Sequence, residues 1–124
     1  MIKKLDVKIL RIEEGRWVVE SYWSFPKDEF DEKLSEMLEK IELYGYIVLV
    51  FFKRFFVANE KTKTVETKDM FLFAKVMNIN GTKNILTLKE LEDFLSKTAY
   101  HKQDLKKLLK LEPYKKVNNG VEGN

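Results

Sequence analysis

The single histidine, His101, is the first place to look for proton-transfer chemistry. As the base of a serine triad it would need a hydroxyl nucleophile on one side and an orienting carboxylate on the other. It stands in a lysine-rich stretch with no orienting carboxylate in view beyond Asp104. His101 therefore reads as an exposed helix residue without a proton-transfer role. One histidine and no cysteine exclude a His-only metal site within one chain, Cys-based zinc sites and thiol nucleophiles. Glu32, Glu36 and Glu39 do share one helix face. Glycosidase or magnesium chemistry, however, needs carboxylates converging on a cleft from different elements. These three lie opposite an apolar stripe, so they form a solvated face and hold no metal. The five glycines are scattered without a phosphate-loop or dinucleotide fingerprint. Asn80-Gly81-Thr82-Lys83 lacks the upstream glycine at Walker spacing and reads as a turn. The expectation is a chain with no catalytic residue and no cofactor.

Two patterns suit binding. Residues 97–116 hold seven lysines against Asp104 and Glu112. Lys102, Lys106 and Lys110 are spaced as one helical stripe, with Lys107, Lys115 and Lys116 beside it and Tyr100 and Tyr114 flanking it. Cations gathered on one face are what phosphate binding requires, although arginine is scarce and no nucleic-acid signature is present. The second pattern is Phe51-Phe52-Lys53-Arg54-Phe55-Phe56. Aromatics among basic groups suit an RNA-binding sheet, but an RNA-recognition motif needs a different element order and two further segments. Arg54 and Phe56 are instead the residue types in which protein-interface energy concentrates.

Length fits one domain, and 124 residues bury enough surface for one core without disulfides. Absent cysteine favours a cytoplasmic home. The start, Met1-Ile2-Lys3-Lys4-Leu5-Asp6, lacks a signal-peptide apolar stretch. The longest apolar run, Tyr46 to Phe52, is far short of the ~20 residues that span a bilayer. Heavy Lys/Glu use with one glutamine is the composition of hyperthermophile proteins; an AT-rich genome gives a similar bias, and seven asparagines favour the latter. The net charge of +3 is uneven. Residues 1–60 carry ten basic and twelve acidic groups, and residues 61–124 carry thirteen and eight. Such opposition favours oriented docking or head-to-tail self-association, with Glu32, Glu36 and Glu39 as the acidic surface.

The elements that must position these residues follow from periodicity. Leu5, Val7 and Ile9 alternate with polar residues as a half-buried strand, and the apolar phase then shifts to Leu10 and Ile12, which predicts a bulge or twist. Glu13-Glu14-Gly15-Arg16 is a turn. The return strand, Trp17 to Ser24, reads with Trp17, Val19 and Trp23 on one face and Val18 and Tyr22 on the other. Phe30, Leu34, Met37, Leu38 and Ile41 form a helical stripe that begins near Pro26 and stops at Gly45. Tyr46 to Phe52 is apolar in both phases, the mark of a central strand covered on both faces. It continues to Ala58 and turns at Asn59-Glu60-Lys61. The returning Thr62 to Asp69 is polar and projects as a ribbon or lies on an edge, before the apolar Met70 to Ala74. Thr87 and Glu90 have capping-box spacing, and Leu88, Leu91 and Leu95 face inward. A second short helix spans Lys102 to Lys110, with Leu105, Leu108 and Leu109 inward and Pro113 ending it.

The expected fold is α+β: an antiparallel sheet of about four strands in the order ββαββαα, with helices mainly on one face. One domain covers 1–116, and 117–124 is a flexible polar tail. The expected core includes Leu34, Leu38, Ile41, Val48, Val50 and Leu72. The expected function is a non-enzymatic protein-binding module: a regulator, adaptor or inhibitor of a larger complex, a profile shared by viral counter-defence proteins. The alternative is a nucleic-acid-binding protein using the C-terminal lysines. No membrane partner is expected.

Overall fold

The computed structural model describes residues 4–40 and 45–113. In chain order these form β1 (Lys4–Glu13), β2 (Arg16–Pro26), a 3-10 turn (Lys27–Glu29), α1 (Phe30–Lys40), β3 (Ile47–Asn59), β4 (Thr64–Asn78), β5 (Gly81–Ile85), α2 (Leu88–Thr98), α3 (Leu105–Leu109) and β6 (Leu111–Glu112). The strands belong to one sheet ordered β2-β1-β3-β4-β5, with β6 beside β4. Neighbours are antiparallel except β6, which runs parallel to β4 through Asp69 and Met70.

Each face of the sheet has its own core. On the front face Leu10, Trp17, Val48, Val50, Phe71, Ala74, Val76 and Ile85 are buried beneath Leu91 and Leu95 of α2 and Leu109 of α3. On the back face Val7, Ile9, Phe25, Ile47, Leu49 and Phe51 are buried, with Phe30 and Leu34 of α1 packed against them. Burying each such side chain contributes about 1.5–3 kcal/mol. The inner half of β3, Ile47–Phe52, is buried throughout because it lies mid-sheet between both layers.

The expected four-stranded antiparallel ββαββαα arrangement is not what forms. The sheet has six strands and is mixed, and the helices divide between its faces. β5, Gly-Thr-Lys-Asn-Ile, has four exposed residues and one buried one, so it carries no apolar alternation to betray it. β6 is two residues long. The α1 stripe shows that one side of the helix packs, but periodicity cannot say against which face of the sheet. Of the expected core, Val48 and Val50 are fully buried, while Leu34 and Leu72 are only half-buried. The Leu38 side chain and Ile41 lie outside the described residues, as do Tyr114, Lys115, Lys116 and the tail.

Two bulges set which side chains face forward. The register between β1 and β2 pairs Ile9 with Ser21 and Leu10 with Val19, leaving Glu20 as the extra residue. The irregularity expected at Leu10 therefore belongs to β2. An extra residue exchanges the faces of everything beyond it. Tyr22 consequently shares the front face with Trp17 and Val19, and Trp23 joins the back core, the reverse of their expected placement. Leu72 is likewise extra between the pairs Phe51–Phe73 and Phe52–Phe71.

The chain after α2 is stitched to the β1–β2 hairpin. The Gly15 carbonyl accepts from the backbone N–H groups of Tyr100 (2.9 Å) and His101 (3.2 Å). The Gln103 side-chain amide accepts from Trp17 N (2.7 Å) and donates to Trp17 O (2.8 Å). Gly15 has φ +79°, and a Cβ there would stand 2.9 Å from Tyr100 Cβ, so both conformation and contact require glycine.

Candidate functional site

The front-face helices cover only part of the sheet. Where their cover ends, Lys8 of β1 points forward with an exposure of 2%. Its ammonium donates to the Leu109 carbonyl at the end of α3 (2.8 Å) and pairs with Asp69 Oδ2 of β4 (3.0 Å). Asp69 also accepts from Arg54 of β3 through Nε (2.7 Å) and Nη2 (3.1 Å), a bidentate fork. The Phe52 ring lies between the two cations, its centroid 4.9 Å from Lys8 Nζ and 5.7 Å from Arg54 Cζ, and the Tyr22 ring lies 5.7 Å from Lys8 Nζ.

This cluster is graded in exposure, and its acid–base behaviour follows. Desolvation lowers the pKa of Lys8, outweighing the hydrogen bond and attraction of Asp69. Burial would raise the pKa of Asp69, but the hydrogen bonds from Arg54 and Lys8 prevail and hold it below the usual carboxylate range. The hydrogen bond to Asp69 raises the pKa of Arg54, whose side chain remains substantially exposed. A buried lysine held by one carboxylate, in turn clamped by an exposed arginine, is a positioning device for that arginine. No proton acceptor with a pKa raised towards neutrality is among these three.

Beyond the cluster the front face is open among the described residues. A cleft of about 320 Å³ is lined by Asp6, Tyr22, Trp23, Ser24, Phe52 and Arg54. It leads onto the ribbon formed by Lys53–Asn59 and Thr64–Asp69, where β3 has passed its last partner in β1, the Asp6–Phe52 pair. Register makes the ribbon two-sided. Forward of Arg54 and Asp69 the front carries Phe56, Thr67, Ala58 and Val65, none of them charged. The back carries Lys53, Glu66 and Lys68 around Phe55 and Val57. Lys53 Nζ sits 5.4 Å from the Phe55 ring centroid, whereas Phe56 is 73% exposed and Val65 68%. Asn59 Oδ1 accepts from the N–H groups of Lys61 (3.1 Å) and Thr62 (3.3 Å) and shapes the turn.

Arg54 and Phe56 thus stand on the same side of one strand, with Tyr22, Phe52 and Asp69 added by the fold. Glu32, Glu36 and Glu39 are exposed on α1, on the back layer, and do not join them. Lys102, Lys106, Lys107 and Lys110 are exposed, but no single helix carries them. α3 begins at the Asp104 N-cap and ends at Lys110, which is left-handed at φ 52°, so the Lys102–Lys106–Lys110 stripe does not form. His101 lines a cleft of about 280 Å³ with Leu95, Ser96, Ala99, Tyr100, Lys102, Gln103 and Leu105, which contains no carboxylate. Among the described residues no three acidic or histidine side chains gather as a metal site, and no helix is long and apolar enough to cross a membrane.

Lys8 and Asp69 escaped the sequence reading. Lys8, between Val7 and Ile9, reads as the solvent phase of a half-buried strand, and only the cover on both faces buries it. Asp69 and Arg54 carried a usable signal. They stand at matching distances from the hairpin turn closed by the Asn59–Thr64 pair, so correct register predicts their contact. No known family, curated protein or solved structure matches this chain.

Proposed function

We propose that the chain is a non-enzymatic protein-binding module, a regulator, adaptor or inhibitor that docks through the open front face and its ribbon. The observation that carries this reading is the exposure of Phe56 and Val65 on the uncharged side of the ribbon, beside an arginine already oriented by Asp69. Aromatic and arginine side chains are the usual anchors of an interface, and an anchor fixed before contact loses less entropy on binding. Tyr22, 60% exposed, continues the surface across the cleft.

The test is co-purification from the native cell with a tagged chain. Phe56→Ala and Arg54→Glu should each release the bound protein, while Lys106→Glu with Lys110→Glu should retain it. Retention by the Phe56 and Arg54 variants would remove the reading. The exposed Lys102, Lys106, Lys107 and Lys110 support nucleic-acid binding as the alternative. In that case affinity for a short duplex should fall with salt at a log–log slope of about −3 to −4 for four phosphate contacts.

A further inference from the structure

Among the described residues no strand pairs with the outer edge of β2. In an antiparallel pair each residue turns both backbone groups either to its neighbour or away from it, alternating along the strand. Gln103 shows which phase faces outward, since it bonds both N and O of Trp17, the partner of Ile12. Leu10, Lys8, Asp6 and Lys4 continue that phase along β1. Their partners Val19, Tyr22, Ser24 and Pro26 therefore turn their backbone groups to the free edge. The edge is capped by Gln103 at Trp17 and open at Tyr22 and Ser24.

The open stretch, Ser21-Tyr22-Trp23-Ser24-Phe25, has no charge to repel another strand. It is bounded by the Glu20 bulge on one side and by Pro26, which has no N–H, on the other. Both stops are equally far from Trp23. We propose that two copies of this chain pair antiparallel through β2 about a two-fold axis at Trp23, making one sheet continuous across a dimer. In this register Tyr22 meets Ser24 of the other copy, and both have outward-facing N–H and C=O groups. Trp23 meets Trp23, and the bulge of each strand meets the proline of the other, so the ladder ends where each strand ends it. A heterologous partner strand would have no reason to match both stops. The contact is isologous and closed, unlike the head-to-tail stacking suggested by charge alone. It uses the backbone edge of β2 and leaves the ribbon free, with Tyr22 at the margin of both surfaces.

Sedimentation equilibrium should show a concentration-dependent dimer that Ser24→Pro, which removes an outward N–H, weakens at least tenfold. The chain has no cysteine, so Trp23→Cys gives a single thiol at the axis, in a non-hydrogen-bonded pair close enough to bridge. Mild oxidation should crosslink Trp23→Cys into a dimer and leave Ser21→Cys, which faces Phe25 of the other copy, monomeric. If Ser24→Pro fails to fold, the cysteine pair decides the register alone. A wild-type chain that stays monomeric at millimolar concentration overturns the proposal and leaves the edge for another protein's strand. A dimer unaffected by folded Ser24→Pro, or equal crosslinking of both cysteines, also overturns it.

Discussion

The two halves of β3 each carry a Phe-Phe pair and do opposite things. Ile47–Phe52 is buried on both faces, whereas Lys53–Asn59 leaves the sheet with β4 alone beside it among the described residues. Phe51 is fully buried and stacks on Phe73 with centroids 4.5 Å apart; Phe56, five residues on, is 73% exposed. Aromatic content therefore says little about role in this chain. What separates core from candidate interface is where β1 and the helices stop, and the Lys8–Asp69–Arg54 cluster marks that boundary on the front face.

The largest test of the comparison exchanges the same residue type on either side of the boundary. Phe51→Ala should cost about 3–5 kcal/mol, from lost transfer energy and the cavity left between Phe30 and Phe73. Urea denaturation measures it. A loss below 1 kcal/mol would mean that the inner half is not the core of the back face.

Breaking the boundary itself should come next. Asp69→Asn leaves Lys8 buried with a carbonyl but no countercharge, which should cost about 3 kcal/mol. Lys8→Met should cost less, about 1–2 kcal/mol, because Asp69 keeps its fork to Arg54 and no charge is stranded, so the loss is that of the donor to the Leu109 carbonyl. A loss below 1 kcal/mol in Asp69→Asn would show that Lys8 does not depend on Asp69.

The pH dependence of this cluster should be a smaller effect with a definite sign. The folded pKa of Asp69 is depressed from its ordinary 3.8. Its contribution is therefore fully present above about pH 3.8 and is lost as pH falls through the folded value, where the unfolded chain has already taken up its proton. Lys8 is depressed from 10.5, so the folded state releases its proton first and stability rises with pH in the alkaline window below 10.5. Denaturation series at pH 2–5 and pH 8–11 should show both slopes. Asp69→Asn should flatten the acid one. An unchanged acid slope in that variant would assign it to other carboxylates.

Much of the inner region was legible because it obeys local rules. The doubly apolar run at Tyr46–Phe52 marks the middle strand, and Thr87 caps α2 as its spacing with Glu90 predicts, Thr87 Oγ1 accepting from Glu90 N at 3.2 Å. The boundary was harder to read because non-local geometry makes it. One extra residue at Glu20 carries Tyr22 to the front, and no alternation within β2 reveals which strand holds the bulge. The lysine stripe failed for a related reason. Gln103 is committed to Trp17 and Asp104 to capping Lys107 N, so the helix starts after Lys102. Arg54 and Phe56 were visible as interface residue types, while Asp69, which orients Arg54, needed the hairpin register.

The smallest stability effect should belong to Phe56, and it sharpens the comparison most. With 73% of its surface in water, Phe56→Ala removes little buried area, and its stability change should stay within about 0.5 kcal/mol. If Phe56 is an interface anchor, the same change should weaken partner binding by about 2 kcal/mol or more, roughly thirtyfold. Phe55→Ala is the matched control, since that ring lies on the charged back of the ribbon beneath Lys53 and would touch no partner seated on the front. Titration calorimetry with the co-purified partner should therefore separate two adjacent phenylalanines by at least tenfold. Equal losses at both would show that the ribbon is engaged through its backbone edges or all around. No loss at either would move the interface away from the ribbon.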